Sequence, residues 1–203
     1  MKIGIIVDGQ AESQAFRFIT AKINIPNTQI LAPLYADLQP RATPQQIVRS
    51  ALGKIQILVS KNANKILLLI DSDDRRQCGA EFARDINQAL IVSGYPNAQA
   101  VVKIKCYENW LIADTDSIAK MKNRFKITSS FEHKVKPNKA DNINDPEDLL
   151  NSITIRTRYK KGKDSVEISR YAEPDKIGSN SRSFRKLLNL LGHPKYLRQS
   201  KYP

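Results

Sequence analysis

Cysteine is nearly absent from this chain. Cys78 and Cys106 stand far apart with no second pair, which excludes a disulfide framework and a four-ligand zinc site and fits reduced thiols in a cytosolic protein. Histidine is as scarce. His133 and His193 share no paired spacing and lie in or beside polar segments, so they read as surface residues and not as ligands or bases. There is no Gly-x-Ser-x-Gly elbow and no phosphate-binding loop ending in Gly-Lys-Ser or Gly-Lys-Thr, and Gly9 alone makes no dinucleotide fingerprint. The apolar run in Met1 to Asp8 is too short for the core of a signal peptide, and no later run approaches the length of a membrane span. Internal repeats and low-complexity tracts are missing too.

What the chain does have is positive charge. Its 203 residues carry a formal net charge of +13, which points to polyanions, chiefly nucleic acid, as partners. The excess is uneven, being dense from Arg156 through Lys163 and again from Arg182 to Lys201. Tyr159 sits among the first group as a base-stacking candidate. The length suits one domain with a small appendage and is enough to bury a real core.

The organising stretch is Lys65 to Asp74, an unbroken run of isoleucine and leucine that stops in three acids around Ser72. Such a run fits a strand buried on both faces, as in a parallel sheet covered by helices. Side chains two apart on a strand point the same way, so Asp71 and Asp73 are expected to project together. Lys2 to Val7 reads as a second buried strand, neighbouring the first. It leads through Asp8 and a turn at Gly9 into a helix from about Ala11 to Lys22, with Ala15, Phe16, Ile19 and Ile23 on one face.

Gln29 to Leu34 is expected as a short edge strand because it contains Pro33. A helix capped at Thr43, with Pro44 in its first turn, follows. A further helix is expected over Ala80 to Val92 and a strand over Gln99 to Lys105. Alternating strands and helices predict an α/β sandwich with a mostly parallel sheet and helices on both faces. Trp110, Leu111 and Ile112 are expected to pack under that sheet. From Met121 to about Asp148, few large apolar residues remain, which predicts a loop-rich insertion or lid. The last helix, near Ser181 to Leu191, turns Phe184, Leu187, Leu188 and Leu191 to the core. The organisation is therefore a core over residues 1–120 and an insertion with a basic helical extension over residues 121–203.

Asp8, Glu12, Asp71 and Asp73, with Glu108 as a fifth, all stand where strands end or helices begin. Brought to one edge of the sheet, they make an all-carboxylate site whose hard oxygens select Mg²⁺ or Mn²⁺ over zinc. Such an ion orients water and stabilises charge on phosphate, so metal-assisted phosphodiester hydrolysis is the natural chemistry. Lys176, Arg182 and Lys186 are the cations available to complete it.

The segments Ile5 to Glu12, Leu68 to Asp73 and Tyr107 to Asp114 together resemble the Toprim-like proteins. These include the nuclease domains of overcoming-lysogenization-defect proteins and small Toprim-like proteins of bacterial defence loci, encoded beside an ATPase. The resemblance runs from about Lys2 to Asp114, with a weaker echo at Lys176 to Leu188. It implies a compact α/β fold, Mg²⁺-dependent strand cleavage, a separate ATPase partner and an antiviral role. Asp71 and Asp73 match the family's Asp-x-Asp, and Glu12 the second acid of its Val-Glu-Gly-x-x-Glu pattern. Asp8 stands where that pattern usually has glutamate. Two classes of function fit these observations. One is a metal-dependent nuclease acting on DNA or RNA; the other is a nucleic-acid-binding or adaptor module that keeps the fold without turnover. Self-association is left open.

Overall fold

A computed structural model describes residues 1–73 and 75–198. Asp74, the last acid of the organising run, and the basic tail beyond Arg198 lie outside the described residues. The chain runs through β1 (Lys2–Val7), α1 (Gln10–Thr20), β2 (Gln29–Ile30), β3 (Leu34–Tyr35), α2 (Pro44–Ser60), β4 (Lys65–Asp71), α3 (Gly79–Val92) and β5 (Ala98–Lys103). The strands form one parallel sheet in the order β2-β1-β4-β5, with β3 also beside β1. This is the α/β sandwich expected from the alternation, and β1 and the organising strand β4 are neighbours in it.

Strand alternation splits the core in two. Ile3, Ile5, Val7, Leu67, Leu69 and Val101 face α1 and the C-terminal helices. Ile6, Ile66, Leu68, Ile70, Ala100 and Val102 face α2 and α3. From Ile66 to Ile70 both faces of β4 are apolar and buried, which is why its sequence shows no alternation. On the second face, Gly4 lets α2 approach closely, since a Cβ there would meet the Leu58 side chain at 2.7 Å. Helix α2 starts with the expected Thr43 cap, reciprocated by the Gln46 side chain.

The expected single edge strand at Gln29 to Leu34 is instead two short pairings. β2 lies against Lys2 and Ile3, and β3 against Ile6 and Val7. Pro33 between them has no N–H to give the ladder, so pairing lapses and resumes one residue later.

The C-terminal half forms α4 (Tyr107–Ala113), α5 (Thr115–Ala119), α6 (Ser129–Val135), α7 (Pro146–Asn151), α8 (Lys161–Tyr171), α9 (Pro174–Asn180) and α10 (Arg182–Leu191). Residues 121–148, expected as a loop-rich insertion or lid, are indeed rich in loops, but they carry α6, a 3₁₀ turn at Ala140–Asn142 and the start of α7, and they pack on the core. Phe125, Phe131, Val135 and Ala140 are buried in the core that contains α1, and Met121, Ile127 and Ile143 pack against it partly buried. Polar anchoring supplies the rest. Buried Asn109 donates to the carbonyls of Ala140 at 2.8 Å and Ile143 at 2.9 Å. Trp110 is buried as expected, and its indole N–H donates to Ser183 Oγ at 2.8 Å. Helix α10 carries the four expected core residues and ends at Gly192 with φ of 86°, a left-handed cap that glycine adopts without penalty.

Candidate metal centre

The sheet register builds the site. Asp71, the last residue of β4, is the register partner of Lys103, the last of β5. Parallel partners point the same way, and Leu69 and Val101, two residues earlier on each strand, both face the α1 side. Asp71 and Lys103 therefore emerge side by side beneath the start of α1, which brings Glu12 in its first turn. Asp8, just past β1, reaches across and accepts from the Asp71 amide at 2.7 Å.

The Lys103 ammonium lies at the centre with no solvent exposure. It is 2.5 Å from Glu12 Oε2, 2.8 Å from Asp8 Oδ1 and 2.9 Å from Asp71 Oδ1. One cation thus faces three carboxylates, an imbalance that burial makes costly. Glu12 Oε1 and Asp71 Oδ1 have no hydrogen bond; the Asp71 contact with Lys103 is an ion pair without hydrogen-bond alignment.

The titration of the group reflects this imbalance. Burial lifts the Glu12 carboxyl well above its ordinary range, and the Asp8 and Asp71 charges add to that against the pull of Lys103. Burial likewise pushes Asp71 up to about 7 despite Lys103. Asp8 is buried too, but the Lys103 ammonium and the Asp71 amide outweigh that and hold it low. Burial would lower Lys103, yet its three acidic neighbours hold it well above an ordinary lysine.

The cluster opens into a cleft of about 410 Å³ lined also by Asp73, Glu108, Lys161 and Ser165. Glu108, in the first turn of α4, is fully buried. Its Oε1 accepts from the Tyr159 hydroxyl at 3.1 Å, while Oε2 has no hydrogen bond and lies 3.5 Å from the Lys161 ammonium. Tyr159 is therefore a buried partner of Glu108 and not a base-stacking platform on the surface. The first turn of α1 faces the same cleft through Gln10 and Ala11, and its N-cap, Gly9, offers no side chain to the first-turn amides.

Oxygens of Asp8, Glu12 and Asp71 lie within 4.8 Å of one another, the spacing of a set that can share an ion. Asp73 lines the cleft without joining this set. Asp71 and Asp73 both line the cleft as expected, although β4 ends at Asp71 and the backbone is no longer a strand at Asp73. Asp73 takes a left-handed φ of 44°, its amide bonded to the Lys105 carbonyl at 2.9 Å. The expected cations are not brought to the cluster. Lys176 pairs with Asp116 at 2.6 Å, Lys186 lines a separate groove, and Arg182 is exposed.

The cation that is present, Lys103, belongs to no motif and to neither basic run. Its signal is a lysine two residues after Val101 at the end of an apolar strand, a position whose parity turns it inward. Lys161 at the cleft's rim belongs to the basic run from Arg156 to Lys163, where it was one charge among several.

The fold and site together define an α/β protein with a carboxylate cluster at the carboxyl ends of its central strands, the edge at which open parallel sheets hold ligands. Residues 7–192 match the family model described as a domain of unknown function, DUF4276, and the chain belongs to that family. No curated protein and no solved structure matches it.

Proposed function

We propose that this protein is a metal-dependent phosphodiesterase acting on nucleic acid, with Asp8, Glu12 and Asp71 as the ligands of Mg²⁺ or Mn²⁺ and Glu108 beside them. The observation that carries this reading is the convergence of three buried carboxylates on one lysine at one cleft, with oxygens within 4.8 Å of one another and Glu12 Oε1 left without a donor. Buried acids in excess of their cations are costly, and a hard divalent cation is the partner that oxygen donors of this kind take. When bound, such an ion polarises phosphate and supplies a nucleophilic water at neutral pH.

The chain's own groups divide the remaining tasks. Lys103 holds three carboxylates convergent and offsets part of their repulsion. The Tyr159 hydroxyl fixes the orientation of Glu108. The open first turn of α1 offers backbone amides to a phosphate oxygen. Lys161 stands at the cleft's rim, and exposed Arg156, Arg158, Lys160 and Lys163 precede or flank it, so a phosphate backbone drawn to this run passes the acids. The motif resemblance to Toprim-like nucleases supports the same chemistry. It also extends the proposal to an effector of a bacterial antiviral system working with an ATPase.

A second reading is favoured by Lys103 itself. Its ammonium already contacts all three carboxylates, and as their sole cation it would make the cluster structural and the protein a nucleic-acid-binding or adaptor module. Incubation with plasmid DNA and with RNA separates the two. With Mg²⁺ or Mn²⁺ the wild type should nick or cut one of them, and Asp71→Asn should lower the rate by at least about a hundredfold, a loss of about 3 kcal/mol in transition-state stabilisation. Binding that survives EDTA, with no product at any metal concentration in the presence of the partner ATPase, would favour the binder.

A further inference from the structure

Strand β5 is the edge of the sheet, and among the described residues nothing pairs with its outer side. The carbonyls of Asn97, Lys103 and Lys105 bond towards β4 and the turn after it. By strand parity the backbone groups of Ala98, Ala100 and Val102 point outward. The Ala100 amide is taken by Asn87 Oδ1 at 2.7 Å and the Ala98 amide by the Tyr95 carbonyl at 3.0 Å. The Val102 amide and the carbonyls of Ala98, Ala100 and Val102 bond to no described residue.

This edge, unpaired but with Ala98, Ala100 and Val102 only 2%, 4% and 8% exposed, forms the floor of a groove of about 480 Å³ between α3 and α10, distinct from the acidic cleft. Ala83, Asn87 and Ile91 stand on one wall, Lys186 and Leu190 on the other. Ile91 is half exposed, at 53%, although it is a large aliphatic residue. Gln99 Oε1 is buried in the groove without a donor. The charged residues lining it are Arg84, which also pairs with its neighbour Asp85 at 3.4 Å, and Lys186, with no acid among the lining side chains.

We propose that this groove receives an extended segment of a partner protein, carrying apolar and acidic residues, which adds to β5 as a further strand. The Val102 amide and the three outward carbonyls are the main-chain groups left to an incoming strand, and the flanking helices supply pockets for its alternate side chains. Charge selects the occupant. A second copy would set another Arg84 and Lys186 against the first pair within a chain of net charge +13, whereas acids on the incoming strand meet both cations. The inference stands independently of the metal centre.

The test uses a fluorescent synthetic peptide of about six alternating valine and glutamate residues, a strand's usual length. Its controls are a valine–lysine peptide and a valine–glutamate peptide N-methylated at alternate residues. Anisotropy should show binding of the first alone. The double variant R84E/K186E should weaken that binding by about tenfold or more. Ala83→Tyr, which adds bulk on the groove side of α3, should abolish it, with circular dichroism confirming that each variant is folded. Equal binding of the lysine or methylated peptide, an unaffected Ala83→Tyr variant, or no binding at millimolar peptide would overturn the proposal. So would a dimer in sedimentation that Ala83→Tyr dissolves, because the groove would then belong to a second copy.

Discussion

The most informative residue is Lys103, because its removal separates structure from chemistry. Lys103→Met leaves three buried carboxylates facing one another with no cation, and breaking a buried ion cluster in this way costs about 3–5 kcal/mol. Urea unfolding in EDTA should show that loss, and millimolar Mg²⁺ should recover part of it if the acids bind metal. An unchanged midpoint would mean that the ammonium contributes nothing.

The acids make a second prediction at this scale. Asp71 binds its proton more tightly folded than unfolded, about 7 against an ordinary 3.8, and Glu12 is shifted the same way. Between those values the folded state holds more protons, so metal-free stability falls as pH rises through that window. Asp8 works in the opposite sense at lower pH: its stabilising contribution is present above its ordinary 3.8 and is lost as pH falls through its lowered value. Lys103 contributes at all pH values below the ordinary lysine range and loses its contribution only as pH rises through its own raised value. Urea midpoints in EDTA should therefore decline from about pH 4 to pH 7, and Mg²⁺ should flatten the decline. A flat profile in EDTA would contradict this electrostatic account.

Among the elements, those with continuous or periodic apolar patterns were readable from the sequence. β1, β4, α2, α3 and α10 fall where the patterns place them, because each buries a face long enough to leave a period. Elements held by single contacts were not. The edge pairing is broken by one proline, and residues 121–151 fold through scattered apolar side chains and through Asn109, whose amide spans to two carbonyls far along the chain. Asn109→Ala leaves those buried carbonyls without a donor and should cost about 1–3 kcal/mol. Limited proteolysis should then cut within residues 136–145 faster than in the wild type; equal protection would mean that packing alone orders the segment. By contrast, Thr43→Ala removes only a surface cap and should cost about 1 kcal/mol in urea unfolding, without altering proteolysis there.

The candidate site was read in the same divided way. Strand ends flagged Asp8, Glu12, Asp71 and Glu108 without any knowledge of the fold. Register is needed to turn Lys103 inward, and backbone geometry to take Asp73 out of the strand. Lys176 and Lys186 were chosen for charge alone, which carries no information on position.

For the whole molecule, the contrast is between a strongly basic chain and one acidic cleft. No helix among the described residues is long and apolar enough to cross a membrane. If the run from Arg156 to Lys163 holds a phosphate backbone, affinity for DNA or RNA should fall linearly on a log–log salt plot, and Lys163→Ala should reduce the slope by about one across unrelated sequences. An unchanged slope would move the nucleic-acid contact to another surface. The central claim, that the carboxylates take a divalent cation beside Lys103, is tested most directly by anomalous diffraction from crystals soaked in Mn²⁺. The account predicts a peak bound by Asp8, Glu12 and Asp71, and its loss in Asp71→Asn. No peak at that position, with Lys103 bridging all three acids as before, would contradict it.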